Sequence, residues 1–389
     1  MSVTAPKGFR AAGVTAGLKA SGSPDVALVV NDGPDVTAAG VFTSNRVKAA
    51  PVLWSQQVLR SGFVRAVVLN SGGANACTGP QGFQDTHRTA EHVAARLTAT
   101  ARQPFGAADV AVCSTGLIGE RLPMDKLLPG VDAAVRGLVR DGGPAAAEAI
   151  MTTDTRPKNT VQAGEGYTVG GMAKGAGMLA PALATMLCVL TTDAVADSET
   201  LDVALREACR VTFDRLDSDG CMSTNDTVLL LASGASGIEP SAEELTAVVT
   251  AACHDLAQQL LSDAEGATKD IAIEVTGAAS EADAVEVGRS IARNNLVKCA
   301  FFGNDPNWGR VLAAIGTTAA EFDPDALDVA INGVWICRGG AAGDDRAKVD
   351  LTGRKIVVRV DLHAGDAEAT IWTSDLSLGY VHENSAYSS

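Results

Sequence analysis

Thr185 stands inside an apolar run, KGAGMLAPALATMLCVLTTD (174–193), in which eighteen uncharged residues separate Lys174 from Asp193. A threonine can serve as an acyl-carrying nucleophile that supplies its own base. If the peptide bond before it is cut, the new α-amine, with a reference pKa near about 8, lies within reach of the same residue's hydroxyl. The hydroxyl could make that cut itself by attacking the preceding carbonyl, giving an ester that water opens. Such chemistry asks for a small residue before the threonine, and Ala184 is one. It asks for a strand behind it, and MLCVLTTD reads as one. It also asks for oxyanion donors brought in from elsewhere in the chain. On spacing alone, a buried threonine bonded to a neighbouring carbonyl is the commoner situation.

Other chemistries find less support. The histidines are His87, His92, His254, His363 and His382. His87 and His92 are five apart on a helical pattern and do not share a face, so a solvated helix surface is expected rather than a metal site. No base for a Ser-His-Asp triad stands out. There is no P-loop and no G-x-S-x-G elbow. GAGMLA (175–180) matches a dinucleotide fingerprint, but Pro181 and the strand soon after leave no room for the crossover helix. The expected cofactor set is therefore empty, with no metal.

The 389 residues carry a net charge of −15, which speaks against nucleic acid or an anionic membrane as partner. Glycines interrupt 175–192, so a membrane span is not expected there. No C-x-x-C pair occurs among the eight cysteines, and the first residues lack a signal-peptide pattern. The cysteines read as reduced, buried small hydrophobes in a cytoplasmic protein.

These residues must be positioned by a mixed set of elements. DVALVVND (25–32), AVVLNS (66–71) and DVAVCST (109–115) read as buried strands. Between the last two, Phe83, Ala90, Val93, Ala94 and Leu97 fall on one helical face. Ser241 and Glu244 form a capping box ahead of the stripe Leu245, Val248, Val249, Ala252, Leu256 and Leu260. Another helix is expected from Glu281 to about Leu296. From about residue 325 the period turns to alternation, with Asn332-Gly333 as a hairpin signal, so a small antiparallel sheet is expected. GGAAGDDR (339–346) reads as a surface loop.

The context of Thr185 resembles the self-cleavage region of the ornithine acetyltransferase family, also called glutamate N-acetyltransferase. The resemblance extends through NSGGANACTG (70–79), CSTGLIGE (113–120), MTTDTRPK (151–158), STNDTVLL (223–230), DAEGATK (263–269), GNDPNWGR (303–310) and HENSAYSS (382–389), in family order. It covers essentially the whole chain. It implies an α+β fold with sheets layered between helices in an N-terminal-nucleophile-like layout. A main catalytic part (1–270) and a smaller C-terminal α/β domain (271–389) go with it. It further implies cleavage between Ala184 and Thr185, giving chains 1–184 and 185–389 that stay together and pair into a heterotetramer.

Carried over residue by residue, the resemblance makes Thr185 the nucleophile and Thr115 and Gly116 the oxyanion pair. Thr152, Lys174, Thr185, Glu265, Asn384 and Ser389 become substrate contacts, Lys174 suiting a carboxylate and Glu265 an amine. Thr152 and its neighbour Thr153 are both open as the residue facing the site. Gly73 stands where relatives often have Asn, and Ser389 where many carry Thr. The implied reaction is a ping-pong transfer of acetyl from N2-acetyl-L-ornithine to L-glutamate through an acetyl-threonine, without a cofactor. Some family members also accept acetyl-CoA, for which no motif here marks a site. The alternatives are a self-processing amidase or aminopeptidase using water as acceptor, and a nucleotide-binding protein using GAGMLA.

Overall fold

The computed structural model describes residues 2–99, 101, 103–178 and 186–386. Ala184, Thr185 and Ser389 lie outside the described residues, as do the last two residues of GAGMLA. The chain is α+β, with two sheets packed face to face and helices on their outer sides. The first sheet has the order β1 (Phe9–Val14), β2 (Val26–Asn31), β4 (Ala66–Asn70), β5 (Val110–Ser114). The second runs β3 (Thr37–Phe42), β9 (Thr227–Ala232), β8 (Leu187–Thr192), β7 (Thr168–Lys174), β6 (Lys158–Ala163).

Alternate residues of the central strands explain the layering. Val29, Val67, Leu69 and Cys113 of the first sheet share one core with Met172, Leu187, Val189 and Leu229 of the second. The outward set Leu28, Val68 and Val112 packs under α2 (Gly79–Thr98) and α3 (Met124–Arg136). Cys188, Leu190 and Leu230 pack under α5 (Ser198–Val211) and α6 (Ala242–Ser262). Strands covered on both faces read as unbroken apolar runs, as β2, β4, β5, β8 and β9 do. β4–β5 and β8–β9 are parallel because α2 and α5 supply the crossovers. The shorter α1 (Ala50–Val58) and α4 (Gly143–Ala149) pack against β5 and β1.

The capping box is present: Ser241 Oγ accepts from Glu244 N, and Glu244 Oε2 accepts from Ser241 N. Of the two expected stripes, Phe83 and Val248 are only half-buried.

A third sheet has the order β13 (Ala341–Ala342), β12 (Val334–Arg338), β11 (Asp328–Ile331), β14 (Lys355–Asp361), β10 (Asp270–Ala278), β15 (Ala367–Ser374). Helices α7 (Glu281–Ala292), α8 (Asn295–Phe302) and α9 (Trp308–Ile315) pack with it. Asn332 and Gly333 take φ of 47° and 84°, the left-handed pair that a two-residue hairpin demands.

Three expectations are corrected. The C-terminal sheet is mixed, because β10, from well before the alternating region, inserts between β14 and β15 and pairs parallel with β14. The helix from Glu281 ends at Ala292, since the Asn294 side chain accepts from Val297 N and caps a new helix. Finally, Cys77, Cys221 and Cys299 are exposed, two in loops and one on the outer face of α8, whereas the other five are buried. Among the described residues no helix is long and apolar enough to cross a membrane.

Candidate active site

The ends of β4 and β5 carry two glycine-rich loops that close on each other. Gly73 N donates to Thr115 O (3.0 Å), and Ala74 N to Leu117 O (2.9 Å). Gly116 has φ +128°, and a Cβ there would stand 2.5 Å from Gly73 N and 2.6 Å from Gly72 C. Only glycine allows this approach, which holds the Thr115-Gly116 peptide at the tip of the strand. Asn225, just before β9, ties the loops together by donating from Nδ2 to Ala74 O (2.6 Å) and Ser114 O (2.8 Å). Gly73 is buried, and a Cβ there would lie 2.8 Å from Leu122 Cδ2, the end of a side chain.

Lys174 ends β7 and pairs in register with Leu187, the first residue of β8. The connection between these neighbours carries Thr185, and Met186 is the described residue next to it. Lys174 is 1% exposed, and its Nζ donates to Thr115 Oγ1 at 3.3 Å. Burial lowers the Lys174 pKa and Lys158 adds to that, while Asp154, Asp226 and Glu265 oppose it. An ammonium only donates. Thr115 Oγ1 must therefore accept from Lys174, which leaves the threonine's own hydrogen to point at another acceptor.

Behind Lys174 lies a closed ion-pair group. Lys158, fully buried, donates from Nζ to Asp154 Oδ1 (2.6 Å) and Asp263 Oδ2 (2.5 Å). Asp154 also accepts from Gly175 N (2.6 Å) and Thr152 N (3.0 Å), and Asp263 accepts from Thr155 N (3.0 Å). Burial would raise Asp154, but Lys174, Lys158 and these hydrogen bonds outweigh it and hold the carboxyl below its ordinary value. The group thus sets the backbone on both sides of the site.

Glu265 follows α6. Its carboxylate accepts from Thr153 Oγ1 (2.8 Å) and from Asn384 Nδ2 (3.0 Å). Asn384 is on α10 (Leu378–Ala386), which returns from the third sheet and rests on Gly266, where any Cβ would strike Tyr380 N. A Cβ at Gly177 would be 2.5 Å from Glu265 Oε2, so a larger residue there would displace the Glu265 carboxylate.

Six of the residues singled out in the sequence line one cavity of about 130 Å³: Thr115, Gly116, Thr152, Lys174, Glu265 and Asn384. Thr153 lines it too, and it is Thr153 whose hydroxyl reaches Glu265. Larger cavities of about 620 and 750 Å³ hold none of them. The histidines stand apart, His92 bonding Asp132 (2.6 Å) and His87 stacking on Trp54 (4.8 Å). Sequence reasoning passed over Asn225, Asp226, Asp154, Lys158 and Asp263. All five sit inside quoted blocks, and the signal was polar or charged residues placed where the chain turns inward.

A hydroxyl and a peptide N–H at a strand tip, a buried lysine behind the hydroxyl and a carboxylate opposite are the groups that an acyl-transferring enzyme needs. The sequence relatives agree with that class. A profile of the ArgJ family matches residues 10–389. "Arginine biosynthesis bifunctional protein ArgJ" of Streptomyces avermitilis is 68% identical over 389 residues, covering 100% of both chains. The protein of that name from Thermobifida fusca is 67% identical over 388 residues, again covering 100% of both. The chain belongs to the ArgJ family and is an acetyltransferase enzyme. Among solved structures, ornithine acetyltransferase of Mycobacterium tuberculosis complexed with ornithine is 60% identical, covering 48% of this chain and 96% of its own, with a TM-score of 0.44. The Bacillus halodurans bifunctional protein argJ is 34% identical over 51% of this chain and 97% of its own, with a TM-score of 0.47.

Proposed function

We propose that the chain cleaves itself between Ala184 and Thr185 and then moves acetyl from N2-acetyl-L-ornithine to L-glutamate through Thr185. The observation that carries this reading is the donor pair Thr115-Gly116, backed by Lys174, in the cavity beside the connection that bears Thr185. Thr185 Oγ, with its own α-amine as base, attacks the acetyl carbonyl, and the Thr115 hydroxyl and Gly116 N–H receive the oxyanion. The amine takes the hydroxyl proton and passes it to the departing ornithine nitrogen. Glutamate then enters, its amine attacks the acetyl ester, and N-acetyl-L-glutamate leaves as Thr185 regains its hydrogen.

Glu265, already taking hydrogen bonds from Thr153 and Asn384, is the acceptor for the substrate's ammonium. Thr152 and Ser389 complete the contacts that the resemblance implies. The division into residues 1–270 and 271–389 is supported by the third sheet, whose strands begin at Asp270. A cytoplasmic location and an (αβ)2 assembly of the cleaved chains belong to the same reading. So does acetyl-CoA as a second donor, in keeping with the word bifunctional in the relatives' name.

The test is consumption of N2-acetyl-L-ornithine by wild type and Thr185→Ala, with and without glutamate. Wild type should show two bands on a denaturing gel and glutamate-dependent turnover. Thr185→Ala should show one band and no turnover. Turnover at full rate without glutamate would point to an amidase instead.

A further inference from the structure

Asp226 is fully buried immediately before β9, whose first residue, Thr227, pairs with Leu187 at the beginning of β8. Its Oδ1 accepts from Met186 N at 3.0 Å, so one carboxylate oxygen is committed to the residue directly after Thr185. Its Oδ2 is closed off from solvent and meets no partner of hydrogen-bonding geometry among the described residues, although the Ser223 hydroxyl is near enough to favour the carboxylate. A buried carboxylate oxygen left unpaired is costly, and such an exception calls for a function. Three covalent bonds separate the nitrogen of one residue from that of the next, which holds them within about 3.7 Å whatever the backbone angles. The nitrogen of a chain that begins at Thr185 is thus only three covalent bonds from the nitrogen that Oδ1 already holds.

We infer that Asp226 is the positioning residue for the reactive end: Oδ2 receives the α-amine of Thr185 once the 184–185 bond is cut. The inference rests on the reading of Thr185 as nucleophile. In the uncut chain the nitrogen of Thr185 is an amide with a single hydrogen. After cleavage it becomes an amine with two hydrogens, three when protonated, and Oδ2 is the acceptor waiting for one of them. Burial pushes the Asp226 carboxyl well above the ordinary range, and the Met186 N–H, the Ser223 hydroxyl and Lys174 pull it back only in part. A carboxyl in that state gains most from a new cation beside it. The charged groups facing it are Lys174 on β7 and, around Lys174, Asp154, Lys158 and Glu265. With both oxygens engaged, Asp226 fixes the amine relative to the hydroxyl it must deprotonate and raises the amine's pKa by favouring the ammonium.

Asp226→Asn tests this, because the amide keeps an acceptor for Met186 N but places a neutral group at Oδ2. The measurement is the pH dependence of kcat and KM for the donor in wild type and variant. The expected result is a loss of kcat of about tenfold or more with KM little changed. The acid limb should move to lower pH by about one unit or more, the size of effect that a nearby opposite charge exerts. An acid limb at the wild-type pH overturns the inference, since a merely structural role would leave it there. If Asp226→Asn stays uncut, the readout passes to Asp226→Glu, which restores a carboxylate and should keep the acid limb near the wild-type pH; a Glu variant whose limb falls by about one unit or more overturns the inference. A Thr185→Ala protein that still turns over would instead sink the underlying reading. An inactive Thr185→Ala beside an unshifted Asp226→Asn would sink the Asp226 assignment alone.

Discussion

Lys174 Nζ meets Thr115 Oγ1 at 3.3 Å in a place neither residue shares with solvent, Lys174 being 1% and Thr115 2% exposed. On the proposed reading of Thr115 as an oxyanion donor, this lysine does more than hold a substrate carboxylate: it sets the direction of the hydroxyl and stands where negative charge would develop in the transition state. Thr115→Val, which keeps the shape but not the donor, should lower kcat about 10²–10³-fold and leave KM nearly unchanged. Lys174→Met should likewise act on kcat, and the double variant should lose less than the product of the two. Steady-state kinetics of all three check this; a Lys174→Met effect confined to KM would return the lysine to carboxylate binding alone.

Gly116→Ala should also lower kcat by about 10²-fold or more, because the added Cβ would drive the Thr115-Gly116 peptide off Gly72 and Gly73. Thermal unfolding should show a lower midpoint as well, since the Cβ meets backbone atoms of a loop whose Ala74 and Ala76 are buried. Near-normal turnover in this variant would remove Gly116 from the oxyanion site.

Lys158→Met leaves Asp154 and Asp263 buried without their cation, a change of the kind that costs about 3–5 kcal/mol. Urea unfolding at neutral pH checks the size. The pH dependence checks the cause. Asp154 is held below its ordinary value in the folded chain, so its stabilisation is complete above the ordinary carboxylate range. That stabilisation is lost as pH falls through the lowered native value. In Lys158→Met this acid-side loss should shrink.

Lys298 gives the same direction of slope on the alkaline side, where it removes a cost instead of adding a gain. Buried against Ser218 O, Thr373 Oγ1 and Ser374 O, it is lowered from 10.5 to about 8, mainly by burial. Below pH 8 both folded and unfolded chains keep the proton and the cost of the buried charge stands in full. Between 8 and 10.5 only the unfolded chain keeps it, so stability rises with pH and the cost is gone above 10.5. Unfolding free energies measured across that window should rise more steeply for wild type than for Lys298→Met.

How much of this was legible in the residues differs from part to part. β2, β4 and β5 were readable because strands covered on both faces must be apolar throughout, and the helix after Ser241 because its capping box is local chemistry. The parallel pairing of β10 with β14 was not, since it joins segments some eighty residues apart and leaves no local mark. The break at Ala292 was hidden because the apolar spacing continues across Asn294, whose role as a cap depends on where its side chain turns. At the site, Thr115, Gly116, Lys174 and Glu265 could be named from the family blocks. The partners that position them could not. Asp154, Lys158 and Asp263 look like surface charges in sequence and become an interior group only when β6, α6 and the loop before β6 are packed together. Asp226 is of the same kind, one acid in a polar loop until the sheet places it beside Met186.

Mass measurement of the two polypeptides after mixing the purified protein with N2-acetyl-L-ornithine, in the absence of glutamate, tests the central claim most directly. The account predicts a chain beginning at Thr185 that gains one acetyl group, located on Thr185 by fragmentation and lost again when glutamate is added. An active protein that remains a single uncut chain would contradict it, as would acetyl found on any residue other than Thr185.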